Sequence, residues 1–257
     1  MTKPVEVNGV VIGSGLPKIC VPLTGKKKKE LLEEASRAKA AAPDLAEWRA
    51  DYYEHLNCEE DFTQTLKEIK EELGDIPLIF TIRSAEEGGK ADISEEEYAD
   101  RVLEAAESGC AELIDVEVFS RKNTDQLIEK LHTTGAKVIA STHDFHKTDD
   151  SEILKKRFLQ MDSTGADILK MAVMPAEFDD VASLMQVTNE MVEEHTEKPV
   201  ISMAMGNLGS ISRIAGENFG SAVTFAAIGA ASAPGQFPIE ELRMMMNVLH
   251  KKNIEED

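Results

Sequence analysis

Short apolar runs alternate along the chain with longer charged stretches whose apolar residues recur at helical spacing. The runs predict strands over residues 18–23, 45–49, 77–83, 112–118, 137–142, 166–172, 199–203 and 222–227. The stretches between them predict helices over 27–41, 62–73, 95–108, 124–133, 151–164, 179–195 and 210–216, with a last helix over 239–251 after Pro238. Strand and helix in regular alternation are the pattern of repeated βα units around a parallel sheet. Eight such units predict closure into an α/β fold of the (β/α)₈ barrel type, one domain over 1–257; the open doubly wound alternative lacks a G-x-G-x-x-G after its first strand. Ahead of the units, two β-prone runs flank Asn8-Gly9, the strongest short hairpin signal, and predict a hairpin over the N-terminal mouth of the barrel.

Composition narrows the class. With 28 Lys and Arg against 48 Asp and Glu, the formal charge of −20 argues against nucleic acid and anionic membrane as partners. Three widely spaced cysteines, Cys20, Cys58 and Cys110, suit neither a disulfide framework nor a structural zinc site. No apolar run approaches the roughly 18 residues of a membrane helix, and the first residues lack a signal-peptide core, so a cytoplasmic protein is expected. No His, Asp or Glu group has metal-ligand spacing; neither metal nor cofactor is expected.

The pattern also exposes one anomaly. Lys170 interrupts the apolar run Ile168-Leu169-Lys170-Met171-Ala172-Val173, and lysine is rarely buried without a reason. A period of two puts Ile168, Lys170 and Ala172 on one face, inward, and the wholly apolar set Leu169, Met171 and Val173 on the other. Inside the barrel, desolvation and neighbouring cations are expected to lower the lysine pKa and leave an amine that attacks a carbonyl. The plainer alternative is a lysine paired with a buried carboxylate such as Glu47 or Glu117.

Active sites of such barrels form at the C-terminal ends of the strands. Glu47 and Arg49, Arg83, His143 and, after the seventh strand, Arg213 all fall there. His143, next to Lys170 in barrel order and with an ordinary pKa near 6.5, suits proton transfer at neutral pH. Lysine with histidine points to chemistry at the carbon α to a ketone, with an imine as electron sink. Met203 and Met205 at the end of the seventh strand and Phe225 in the eighth are candidate pocket walls. The loops 206–210 and 229–236 are rich in glycine and read either as a phosphate site or, for the second, as a mobile lid. Lys26 to Lys29 read as a solvated helix face, and His146 and His195 as surface residues.

Together the strings Glu47-Trp48-Arg49, Phe80-Thr81-Ile82-Arg83-Ser84 with Glu87-Gly88-Gly89, Ser141-Thr142-His143-Asp144-Phe145, Asp167-Ile168-Leu169-Lys170-Met171-Ala172 and Ser232-Ala233-Pro234-Gly235-Gln236 resemble the type I 3-dehydroquinate dehydratases, in order and over nearly the whole chain. The resemblance implies a metal-free, usually dimeric barrel that converts 3-dehydroquinate into 3-dehydroshikimate on the route to aromatic amino acids. It implies that Lys170 forms the imine, that His143 moves the protons, and that Glu87 orients His143, with the adjacent Glu86 as its competitor. It assigns the substrate carboxylate to Arg213, Ser232 and Gln236, and the ring hydroxyls and ketone side to Glu47, Arg49 and Arg83. Pro22 stands where some relatives carry a serine hydroxyl, which implies at most a modest loss of affinity.

Overall fold

A computed structural model describes residues 2–229 and 232–255 of the chain. Strands β1 (Val5–Val7) and β2 (Val10–Ile12) form the antiparallel hairpin. Asn8 and Gly9 turn it with φ of 46° and 78°, the doubly positive geometry of a type I′ turn. Eight parallel strands follow: β3 (Lys18–Leu23), β4 (Leu45–Arg49), β5 (Leu78–Thr81), β6 (Leu113–Glu117), β7 (Lys137–Asp144), β8 (Ile168–Val173), β9 (Val200–Ala204) and β10 (Val223–Phe225). They pair in sequence, and β10 returns to β3. A bridge between Val200 and Ser221 joins β9 to the approach of β10 and closes the ring.

The helices are α1 (Lys28–Ala41), α2 (Glu59–Leu73), α3 (Glu95–Glu107), α4 (Thr124–Thr133), α5 (Ser151–Ser163), α6 (Phe178–Glu190), the short α7 (Ser210–Ile214) and α8 (Gly216–Phe219), and α9 (Ile239–Glu255). After α6 the chain widens into one π-helical turn, Met191–His195, inside what the spacing predicts as continuous helix. Among the described residues no helix is long and apolar enough to cross a membrane.

Three strands differ from expectation in ways that shape the site. β5 stops at Thr81 rather than Arg83 because the next amides leave the ladder: Arg83 N–H donates to Asp51 Oδ1 (3.3 Å) and Ser84 N–H to Glu117 Oε1 (2.8 Å). β7 runs on to Asp144, so His143 is not past a strand end but within the pleat, paired with Ala172. β10 ends at Phe225, since Ala227 N–H turns to Phe237 O (2.8 Å) at the stem of the following loop.

The pleat sorts side chains into two shells. Outward residues such as Trp48, Phe80, Ile114, Leu169, Met171 and Val173 pack under the helices in one large core. The inward residues of the lower barrel, among them Cys20, Leu45, Ile79, Leu113, Ile139, Ile168, Ile201 and Val223, form a second apolar cluster with Val7 and Ile12 of the hairpin. The hairpin thus plugs the N-terminal mouth. Two residues further along, the same inward rows present Glu47, Thr81, Asp115, Ser141, Lys170, Met203 and Phe225.

Candidate active site

Above the apolar floor lies a cavity that opens to solvent on one side. All twelve residues singled out from the sequence line it: Lys170, His143, Glu87, Glu47, Arg49, Arg83, Arg213, Met203, Met205, Phe225, Ser232 and Gln236. Phe145, Ala172 and Ala233 complete its wall. Pro22 pairs with Glu47 across the β3–β4 ladder but is not among the cavity's walls.

Lys170, 3% exposed, points inward as the period of two requires. Its Nζ donates to Asp115 Oδ2 (2.9 Å) and Glu47 Oε1 (3.2 Å) and sits 4.8 Å from the centre of the Phe225 ring. Burial alone would lower its pKa, and Arg83 adds to that, but the carboxylates of Asp115 and Glu47 outweigh both and the pKa is raised. The expectation of a lowered lysine pKa is therefore corrected. The plainer alternative holds in part, with Glu47 and Asp115, rather than Glu117, as the partners. Glu47 is itself fixed by the Thr81 hydroxyl (2.9 Å).

Arg83 is tied down more fully still. Its Nη2 donates to Asp115 Oδ1 (2.9 Å), and its Nη1 donates to Glu117 Oε1 (3.1 Å) and Ser141 Oγ (3.0 Å) and lies 3.5 Å from Glu87 Oε2. Arg49 makes a bidentate pair with Asp51 (2.7 and 2.9 Å). These internal partners leave both arginines few donors for a ligand hydroxyl.

His143, its side chain 9% exposed, has Nδ1 at 2.9 Å from Glu87 Oε2. Glu86 is exposed and Glu87 buried, so Glu87 is the neighbour that reaches the imidazole. The turn that carries Glu87 is tight: Ser84 Oγ accepts from Glu87 N–H, and a Cβ on Gly89 would stand 2.0 Å from Arg83 O. Burial, then Arg83 and Lys170, push the imidazole well below its usual range, which corrects the expectation of an ordinary pKa and keeps the ring neutral. Burial raises the Glu87 carboxyl to about 8; Arg83 opposes this, while Glu117 and Asp115 reinforce it.

On the opposite wall Arg213 is 1% exposed and its guanidinium meets no carboxylate among the described residues. Its Nη2 donates to Pro234 O (2.9 Å), Nη1 touches Met203 Sδ at 3.8 Å, and Nε has no partner. Burial lowers its pKa to about 10. Pro234 belongs to the expected lid, of which Ala230 and Ala231 lie outside the described residues. Within the lid Gln236 Nε2 donates to Ser232 Oγ (3.0 Å) and Ser232 N–H donates to Gln236 Oε1 (2.9 Å). Gly206 N–H is taken by Pro234 O (3.2 Å), so the two glycine-rich loops close on each other instead of presenting a free row of amides.

The sequence alone gives Asp115, Asp51 and Phe145 no site role, and Glu117 only that of a possible partner for Lys170. Asp115 is within its reach: Leu113, Asp115 and Glu117 share the inward parity of their strand by the same period-two rule that exposes Lys170. At the other end of the barrel, Glu190, Glu194 and His195 bring ligand atoms within 4.8 Å of one another in a partly exposed cluster where Lys155 already pairs with Glu190.

The type I 3-dehydroquinase family model matches residues 19–253. The 3-dehydroquinate dehydratases of Clostridioides difficile and Bacillus licheniformis are 42% and 43% identical, each over 252 residues that cover 98% of this chain and 99% of theirs. The solved type I enzyme of Clostridium difficile, crystallised with covalently modified comenic acid, superposes with a TM-score of 0.95 at 42% identity and covers 98% of this chain and 100% of its own. The solved 3-dehydroquinate dehydratase of Geobacillus kaustophilus gives 0.94 at 37% identity, with 97% of both chains covered. Fold, cavity and sequence likeness agree, and the chain belongs to the type I 3-dehydroquinase family.

Proposed function

We propose that the chain dehydrates 3-dehydroquinate to 3-dehydroshikimate in the shikimate pathway, through an imine between Lys170 and the substrate ketone. The carrying observation is a buried, inward lysine that shares one cavity with an imidazole held by Glu87, while the far wall holds an arginine whose described partners are a backbone carbonyl and a sulfur. Arg213 answers the substrate carboxylate, and Ser232 and Gln236 exchange their mutual bonds for it as the lid seats. That places the ketone toward Lys170.

Nζ bonds the carbonyl carbon and the carbonyl oxygen leaves as water, giving a cationic imine. His143 takes the adjacent proton, the C–H electron pair forms a carbon–carbon double bond, and the π pair of the C=N⁺ bond moves onto nitrogen to give a neutral enamine. The enamine expels the β-hydroxyl, which takes the proton from His143 and leaves as a second water; hydrolysis of the conjugated imine returns the lysine. The neutral imidazole serves as base at Nε2 when Nδ1–H donates to an ionised Glu87, so base strength follows the ionisation of that pair. Glu47, Arg49 and Arg83 shape the hydroxyl side.

Reduction with borohydride in the presence of 3-dehydroquinate tests the reading. The expected result is a stable adduct on the peptide that carries Lys170. Active, folded protein that forms none would sink it. The enzyme works as a cytoplasmic homodimer in this reading, with Ile211 on α7 and Met244 and Val248 on α9 supplying exposed apolar surface; light scattering at the monomer mass would remove that part.

A further inference from the structure

The two carboxylates at Lys170 are not equivalent. Glu47 lines the cavity, within reach of a substrate hydroxyl, and shares the oxygen that meets Nζ with Thr81. Asp115 lies behind the lysine, 1% exposed and outside the cavity wall. It divides its oxygens: Oδ2 accepts from Lys170 Nζ (2.9 Å), while Oδ1 accepts from Arg83 Nη2 (2.9 Å) and Ser141 Oγ (2.6 Å). Both anchors hold the carboxylate still while the third bond serves the reacting nitrogen.

We propose that Asp115 is a positioning residue for the reaction, acting as counter-ion to Nζ first as an ammonium and then as the protonated imine. This rests on the imine reading above. The charge balance favours it: an ammonium and a ketone give a protonated imine and one water, with no proton gained or lost overall. The two protons shed by nitrogen leave with the ketone oxygen, and the positive charge stays at the same atom. A lysine held as a cation therefore does not oppose the overall step; its charge is carried into the electron sink. Only a partner that no ligand hydroxyl can draw away keeps the imine protonated through the cycle, and Asp115 is so placed. Burial works against its own negative charge, but Arg83 and Lys170 hold its carboxyl far below the usual carboxylate range.

The test is cyanoborohydride trapping with 3-dehydroquinate, followed by mass spectrometry across a pH series, since this reagent reduces the protonated imine and not the neutral one. In Asp115→Asn the alkaline limb of trapping is expected to move down by at least about one pH unit, a tenfold slower reduction on that limb, with turnover reduced in parallel. A wild-type adduct together with an unshifted limb in Asp115→Asn would overturn the counter-ion role alone. No adduct in active wild type would overturn the imine reading and this inference with it. Should Asp115→Asn fail to fold, Ser141→Ala decides: it removes a donor to Oδ1, makes the carboxylate a better partner, and moves the limb upward by a few tenths of a unit. An unmoved limb there overturns the proposal.

Discussion

Arg83 and Arg213 are both almost wholly buried in the upper barrel, yet they live in opposite surroundings. Arg83 is enclosed by Asp115, Glu117 and Glu87, and its charge is neutralised before any ligand arrives. Arg213 has a backbone carbonyl, a sulfur and an orphaned Nε. Burying an ion without a partner costs several kcal/mol, so a chain that keeps such a cation is holding a place for an anion. The β4–β8 side is internally neutralised, and in the proposed reaction the β9–β10 side is the one that would take the carboxylate.

The most severe break comes on the β4–β8 side. Lys170→Ala is expected to abolish turnover and adduct formation together, and residual activity within about a hundredfold of wild type would mean the imine is unnecessary. For His143→Ala we expect turnover to fall about 10²- to 10⁴-fold while the borohydride adduct still forms, which separates proton transfer from nitrogen chemistry. The two arginines then divide in opposite directions. Arg83→Met removes the cation that Asp115, Glu117 and Glu87 share and is expected to destabilise the unliganded protein by about 3–5 kcal/mol. Arg213→Met removes an unpaired buried cation and leaves stability equal or higher, while KM rises far more than kcat falls. Melting curves that move both variants the same way would erase the distinction.

The smallest effect concerns Glu87. Its folded carboxyl, at about 8, lies above its ordinary value of 4.5, so its contribution to stability is complete below the lower value and is lost as pH rises through the upper one. Glu87→Gln should flatten the decline in melting temperature between about pH 5 and about pH 9, and shift the acid limb of kcat/KM downward. A decline as steep as that of wild type would show that Glu87 is not the titrating group.

Much of this was legible because barrels write their geometry in a period of two. That rule turned Lys170 inward and left Leu169, Met171 and Val173 to the helices, as observed. It could not weigh charges across strands. Burial and neighbouring cations, both visible in the strand pattern, predict that Lys170 titrates low, whereas the contact that reverses the sign, Asp115 Oδ2 at 2.9 Å, depends on packing between strands. Glu87 and Glu86 are equivalent as letters; the tight turn from Ser84 to Gly89 selects between them by burying one. β5 and β10 end short of their apolar runs for a related reason. There, backbone amides bond to distant carboxylates or to the lid stem, which no local propensity encodes.

Gly235 sits in the lid at φ +79°, and a Cβ there would come within 2.4 Å of Gly206 O. Main chain rests on main chain, so the spacing of the two glycine-rich loops is one that no rotamer change can adjust. Gly235→Ala is therefore expected to force the loops apart, to loosen Pro234 from Gly206 and Arg213, and to raise KM in the proposed reaction.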